Sequence, residues 1–137
     1  MRVLWDTSCL LPLVLKEPNQ SRTLAIWESS EEHVAWSWFR VEAEAACVRQ
    51  RVTSEQWKEL RSFVNLLGYI DILPTELDSL LTFNRTIGLR SADAGHLFCF
   101  MKLFGSLDDM VLATYDKEMI EAAQKLALPL HPLCLES

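Results

Sequence analysis

Four carboxylates in this chain stand close to where helices begin: Asp6, Glu42, Asp93 and Asp116. Asp6 follows the apolar run Val3-Leu4-Trp5, and Asp116 follows Met110-Val111-Leu112-Ala113-Thr114. Glu42 lies early in the helical pattern after His33-Val34-Ala35-Trp36, and Asp93 comes two residues after Ser91, the expected cap of its helix. One such acid is explained by the helix macrodipole, worth about 0.3–1 kcal/mol, and Asp6 alone reads equally well as a helix cap. Four at one edge repel each other, and a bare carboxylate is costly unless hydrogen-bonded, solvated or bound to a cation. A hard divalent cation answers that repulsion. Mg²⁺ or Mn²⁺ takes carboxylate and water oxygens and bridges them to substrate phosphates. It activates water and stabilises charge building on phosphate oxygens. Ser8 and Thr114 offer hydroxyls to orient that water or a carboxylate.

These acids need a scaffold that brings them to one edge. Val3–Trp5, His33–Trp36, Tyr69–Leu73 and Met110–Thr114 read as short strands, separated by stretches of helical period. Strands alternating with helices predict a parallel sheet covered on both faces. In such a sheet every strand end leading into a helix lies on the edge where ligands bind. The fold class is α/β, a three-layer α/β/α arrangement with a mainly parallel sheet of four to five strands in a single domain over 1–137. Thr7 or Ser8, Ser37 and Ser91 are the expected helix caps, and Thr53 with Gln56 fits a capping box. Pro12 predicts a late start or a kink in the first helix. Trp38–Arg51 and Thr53–Leu67 form a helical hairpin outside the strand–helix alternation, closed by Gly68, with Phe39, Trp57, Phe63 and Leu66 as a candidate partner surface. Leu128–Leu133 reads as an edge strand, where Pro129 and Pro132 are tolerated.

Composition narrows the classes. Half of the 137 residues are apolar and 23% are charged, as in ordinary globular proteins. A net charge of −6 disfavours passive binding to a phosphate backbone, which wants a basic face. An acidic protein that handles nucleic acid needs local cations. Arg40, Arg85, Arg90 and Lys117 adjoin the acids in sequence and are the candidate substrate-binding residues. Cys9, Cys47, Cys99 and Cys134 form no C-x-x-C pair, so reduced core thiols are expected rather than a zinc site. Asp6 falls too early for a signal peptide, and no apolar run approaches the roughly 18 residues that span a bilayer. A cytoplasmic protein without membrane contact is expected.

Taken together, Asp6-Thr7-Ser8-x-Leu10-Leu11, Arg40-x-Glu42, Ser91-Ala92-Asp93-Ala94-x-His96-Leu97 and Thr114-x-Asp116 resemble the PIN domain, and more narrowly the VapC-type ribonuclease toxins of toxin–antitoxin pairs. The resemblance runs from Val3 to Leu130. It implies a Mg²⁺- or Mn²⁺-dependent endoribonuclease, usually a homodimer held inactive by a small antitoxin protein. It also implies Asp6, Glu42, Asp93 and Asp116 as the metal-binding and catalytic acids, supported by Ser8 and Thr114. Glu44 competes with Glu42, but two residues along a helix point about 200° apart, and Glu42 follows Arg40 as in the family pattern. Asp108-Asp109 falls at the opposite edge. His96 matches a position frequent in the family and reads on its apolar helix as a hydrogen-bonded core histidine. An alternative keeps the fold without the chemistry: a catalytically inactive PIN-like module that binds a partner. An aspartyl-phosphate phosphatase would place a second Asp two residues after Asp6, where Ser8 stands.

Overall fold

The computed structural model describes residues 1–136. Four strands, β1 (Arg2–Trp5), β2 (Glu32–Trp36), β3 (Gly68–Ile70) and β4 (Met110–Ala113), form one all-parallel sheet in the order β3-β2-β1-β4. Among the described residues seven helices surround it: α1 (Thr7–Leu15), α2 (Gln20–Glu28), α3 (Trp38–Arg49), α4 (Ser54–Leu66), α5 (Leu77–Ile87), α6 (Ser91–Phe104) and α7 (Lys117–Lys125).

The two-residue period of the strands assigns the layers. Val3 and Trp5 face one way and pack with Leu10 of α1, Ile26 of α2, Phe39 and Cys47 of α3 and Leu60 of α4. Leu4, Met110 and Leu112 face the other way, against Leu97 and Phe100 of α6 and Met119 and Ala123 of α7. Trp5, Phe39 and Phe100 are wholly buried, and burial of side chains this large stabilises the fold by about 1.5–3 kcal/mol each. The result is the three-layer α/β/α architecture. All four cysteines are free and buried, and among the described residues no helix is long and apolar enough to cross a membrane.

Strand order fixes where a site forms. The chain steps outward from β1 to β2 to β3, then returns to lay β4 on the other side of β1. The order reverses between β1 and β4, and at such a switch point the flanking connections diverge and leave a crevice at the carboxyl ends of the strands.

Several local expectations are corrected. Leu128–Leu133 is not a strand: a single parallel bridge joins Leu130 to Leu112, followed by a 3₁₀ turn over Pro132–Leu135. Pro129 and Pro132 lack the N–H groups a longer ladder needs. The third strand ends at Ile70, and Gly68 opens it rather than closing α4, which ends at Leu66. Helix α1 starts at Thr7 with Pro12 inside it, and burial of seven of its nine residues offsets the bond Pro12 removes. The Thr53–Gln56 capping box is present. Ser37, however, donates its hydroxyl to Asp71 instead of capping α3. Ser91 is the first residue of α6 rather than its cap. The hairpin surface is also reassigned. Phe39 is core, Trp57 and Phe63 are partly buried against it, and only Leu66 is exposed; the outward apolar residues of α3 are Trp38, Val41 and Val48.

Candidate active site

β1 and β4 run in register, with Trp5 opposite Ala113, so the segments that follow them leave the sheet side by side. The Asp6 N–H donates to the Ala113 carbonyl at 2.9 Å, which extends the pairing one step beyond the strands. The Asp6 side chain is buried, 3% exposed. Its Oδ2 accepts from the Ser8 hydroxyl at 2.5 Å and from the Thr114 hydroxyl at 2.9 Å. Each hydroxyl is itself oriented by the backbone. Ser8 Oγ accepts from the Tyr115 N–H at 3.1 Å, and Thr114 Oγ1 accepts from the Asp116 N–H at 3.1 Å. Their protons are therefore turned onto Asp6, in the charge-assisted bonds that hold a carboxylate best. Neither Thr7 nor Ser8 caps α1. Asp6 occupies the cap position with its carbonyl alone, accepting from the Cys9 N–H.

Asp116 caps α7, its Oδ1 accepting from the Met119 N–H at 2.9 Å. Asp93 lies in the first turn of α6. Its carboxyl is pushed up to about 6, first by burial and then by the negative charges of Asp6 and Asp116, which His96 and Arg90 offset only in part. Charge–charge repulsion of that kind requires proximity. The Thr114 hydroxyl, bonded to Asp6 and to the Asp116 N–H, sets those two residues side by side, and the charges of both reach Asp93.

Glu42 joins the group from α3. Its Oε1 accepts from the Thr7 hydroxyl at 2.8 Å and from His96 Nε2 at 2.6 Å. His96 is fully buried, and its Nε2 also lies 3.7 Å from Asp6 Oδ1. Burial pushes the Glu42 carboxyl up, but the bond and charge of His96 and the Thr7 hydroxyl outweigh it and leave it below the usual range. Burial likewise pushes His96 down, and the Glu42 bond with the charges of Asp6, Glu42 and Asp93 outweighs it and raises the imidazole. His96 is therefore a basic group set among acids, which favour its protonated form. Its Nδ1 has no hydrogen-bond partner among the described residues, and the Trp36 ring stands perpendicular against it, 5.2 Å between centroids. His96 is the buried, hydrogen-bonded histidine that its helix predicts; its place among the acids, and that of Thr7, go beyond the expectation. The signal was Asp93-x-x-His96, since residues three apart share one helix face.

The remaining candidates separate. Glu44 is exposed and shares a surface hollow with Arg40 on α3, the face opposite Glu42. Asp109 pairs with Arg2 at the amino-terminal edge of the sheet, 3.0 Å away. Arg90 precedes α6 and its charge reaches Asp93, and Lys117 directly follows Asp116. Arg85 lies in the last turn of α5, where it complements the helix dipole.

Asp6, Asp93, Asp116 and Glu42 are the groups here that could hold a metal. All offer hard oxygen, and the repulsion felt at Asp93 is what a dication relieves, so the set fits Mg²⁺ or Mn²⁺ rather than a soft ion. Among the described residues, no three His, Cys, Asp or Glu groups close on one point as a ready-made cage. Mg²⁺ asks for less than a cage, binding through one or two carboxylates together with its own waters and substrate phosphates. No protein-family model matches the chain, and no curated protein matches it.

Proposed function

We propose that this protein is a Mg²⁺- or Mn²⁺-dependent endoribonuclease of the kind its PIN-domain resemblance implies, acting as the toxin of a toxin–antitoxin pair. A small antitoxin and a second copy of the chain are its proposed protein partners. The observation that carries the reading is the placement of Asp6 and Asp116 at the switch point, with Asp93 repelled by both. Acids gathered there and compensated only in part suit a reaction in which negative charge is delivered by the substrate and positive charge by a cation.

Asp6, Asp93 and Asp116 would hold a divalent cation, which when bound would supply positive charge to polarise the scissile phosphate and to offset the repulsion between RNA and an acidic protein. The chain's own residues do the positioning. Ser8 and Thr114 fix Asp6 through Oδ2. Thr7 and His96 both engage Oε1 of Glu42, which leaves Oε2 to accept a proton from the water attacking in line. Arg90 and Lys117 flank the acid edge and meet phosphates on either side of the cut. The resemblance implies a 3′-hydroxyl and a 5′-phosphate as products.

The test is Asp6→Asn, assayed on RNA with Mg²⁺ or Mn²⁺ and compared with wild type in excess EDTA. Cleavage should be lost in both, with circular dichroism unchanged. Cleavage surviving both conditions would sink the mechanism.

A further inference from the structure

We propose that the apolar groove beside the acid cluster seats one unpaired nucleobase of the substrate strand, with a preference for guanine. The proposal rests on the ribonuclease reading and adds to it a recognition site that the four acids do not supply. The groove opens where β2 leaves the sheet. It encloses about 480 Å³ between Trp36, Trp38, Leu77 and Leu80, with Asp71 and Ser91 among its polar lining. That volume falls within the range of small-molecule clefts.

Three observations identify the occupant. The first is an aromatic wall built to be rigid. Trp36 lies so close over α6 that a Cβ on Gly95 would stand 2.3 Å from its ring, and His96 buttresses it from the side. Beside it Trp38 is 46% exposed, its ring centroid 6.1 Å from that of Trp36. Indoles set in this way form a stacking platform, the means by which proteins hold the bases of single strands.

The second observation is the polarity of the groove. Among the described residues, the one acidic side chain in its lining is Asp71, which accepts a hydrogen bond from Ser37. A carboxylate there repels phosphate and accepts only N–H or O–H donors. Guanine presents N1–H and N2–H₂ side by side, whereas uracil flanks its single N3–H with two carbonyl oxygens. Adenine and cytosine set an amino group beside an acceptor nitrogen and fall between.

The third is continuity with the acids. Ser91 and Ala92 line the groove and Asp93 is the next residue. A base stacked on Trp38 therefore leaves its own phosphate to extend towards Asp93 and the exposed Arg90, so the groove and the acids read successive parts of one strand.

The experiment titrates the cation-free protein in EDTA with GMP and UMP. These share the same phosphate, so the difference between them reports the base. Binding is read from indole N–H shifts in NMR, with Trp38 assigned through Trp38→Phe. GMP should bind about tenfold tighter than UMP, a factor within what one base contact carries. Trp38→Ala should abolish the saturable shifts. Asp71→Asn, which keeps the shape of the groove, should retain binding and erase the preference.

Equal binding of GMP and UMP to wild type, or saturable shifts surviving in Trp38→Ala, overturns the proposal. So does a concentration-dependent dimer that Trp38→Ala dissociates and that GMP leaves unaffected, which would assign the groove to a second copy. Asp6→Asn keeps the two readings apart. That variant should keep base binding while losing cleavage; a wild type that binds GMP but never cuts RNA refutes the nuclease alone, and one that cuts RNA without binding GMP refutes the groove alone.

Discussion

Replacing Asp93 with Asn should make the cation-free protein more stable at neutral pH. The folded Asp93 carboxyl titrates near about 6, against an ordinary value of 3.8. The unfolded chain therefore gives up its proton first, and stability falls as pH rises from the lower value to the higher. Below that window Asp93 costs nothing; above it the whole penalty is present. Two units or so of displacement correspond to about 3 kcal/mol as a ceiling. Asp93 is only half-buried, and solvent screening brings the expected gain to roughly 1–2 kcal/mol. For a chain of this size each kcal/mol moves Tm by about 3–5 °C. The assay is urea unfolding of both proteins in EDTA, at about pH 7.5 and about pH 5, where the gain should shrink to roughly half. Adding Mg²⁺ should then stabilise wild type and not the variant; at a hundredfold excess over Kd such binding is worth about 2.7 kcal/mol. A variant no more stable than wild type at the higher pH would refute the claim that Asp6 and Asp116 crowd Asp93.

Two further substitutions probe the supports. His96→Gln keeps an N–H for Glu42 but removes the charge, and should cost about 1–3 kcal/mol in urea unfolding. Glu42 is held below its ordinary 4.5 and His96 above its ordinary 6.5. The stabilisation from the pair is thus lost as pH falls through the Glu42 value and as it rises through the His96 value, so the cost should peak between about pH 4.5 and 6.5. In RNA cleavage the same variant should lower kcat with KM little changed, since His96 positions Glu42; a change in KM alone would count against that role. Gly95→Ala ordinarily stabilises a helix by up to about 1 kcal/mol, but here the added methyl meets the Trp36 ring at 2.3 Å. It should instead destabilise by about 1–3 kcal/mol and perturb the near-ultraviolet dichroism. A rise in Tm would show that Trp36 is free to move.

The layers were legible in the sequence because alternation is local. Val3, Leu4 and Trp5 divide between two cores as a two-residue period requires. The strand order was not legible, since nothing within β4 records that it lies beside β1 rather than beyond β3. The acids could be picked out because each stands near a helix start, and the consequence of strand order, that Asp6 and Asp116 are neighbours, needed the fold. Hydroxyl groups misled most. Ser8, Ser37 and Thr7 carry the residue types of helix caps, yet their protons go to Asp6, Asp71 and Glu42. A carboxylate across the fold competes with a free amide one turn away, and propensity sees only the amide. His96 is the buried, hydrogen-bonded histidine that its helix predicts, but its partner was not legible. Its apolar neighbours on α6 identified a buried face, and burial by itself does not reveal that Glu42 arrives from α3 to share it.

The hydrogen bonds at the acids follow one pattern that bears on what the site does. Thr7 and His96 hold Glu42 by Oε1, Ser8 and Thr114 hold Asp6 by Oδ2, and the Met119 N–H holds Asp116 by Oδ1. In each case the protein's hydrogen bonds orient the carboxylate through one oxygen; the second oxygens of Glu42 and Asp116 have no protein donor among the described residues, and that of Asp6 faces His96 Nε2 at 3.7 Å. A purely structural network gains most by satisfying both oxygens of a buried carboxylate, because each unpaired one carries a desolvation cost. Orienting by one oxygen and reserving the other makes sense where something else is to be bound. The repulsion retained at Asp93 is consistent with the proposed function, since a site that had neutralised its own acids would have little affinity left for a cation.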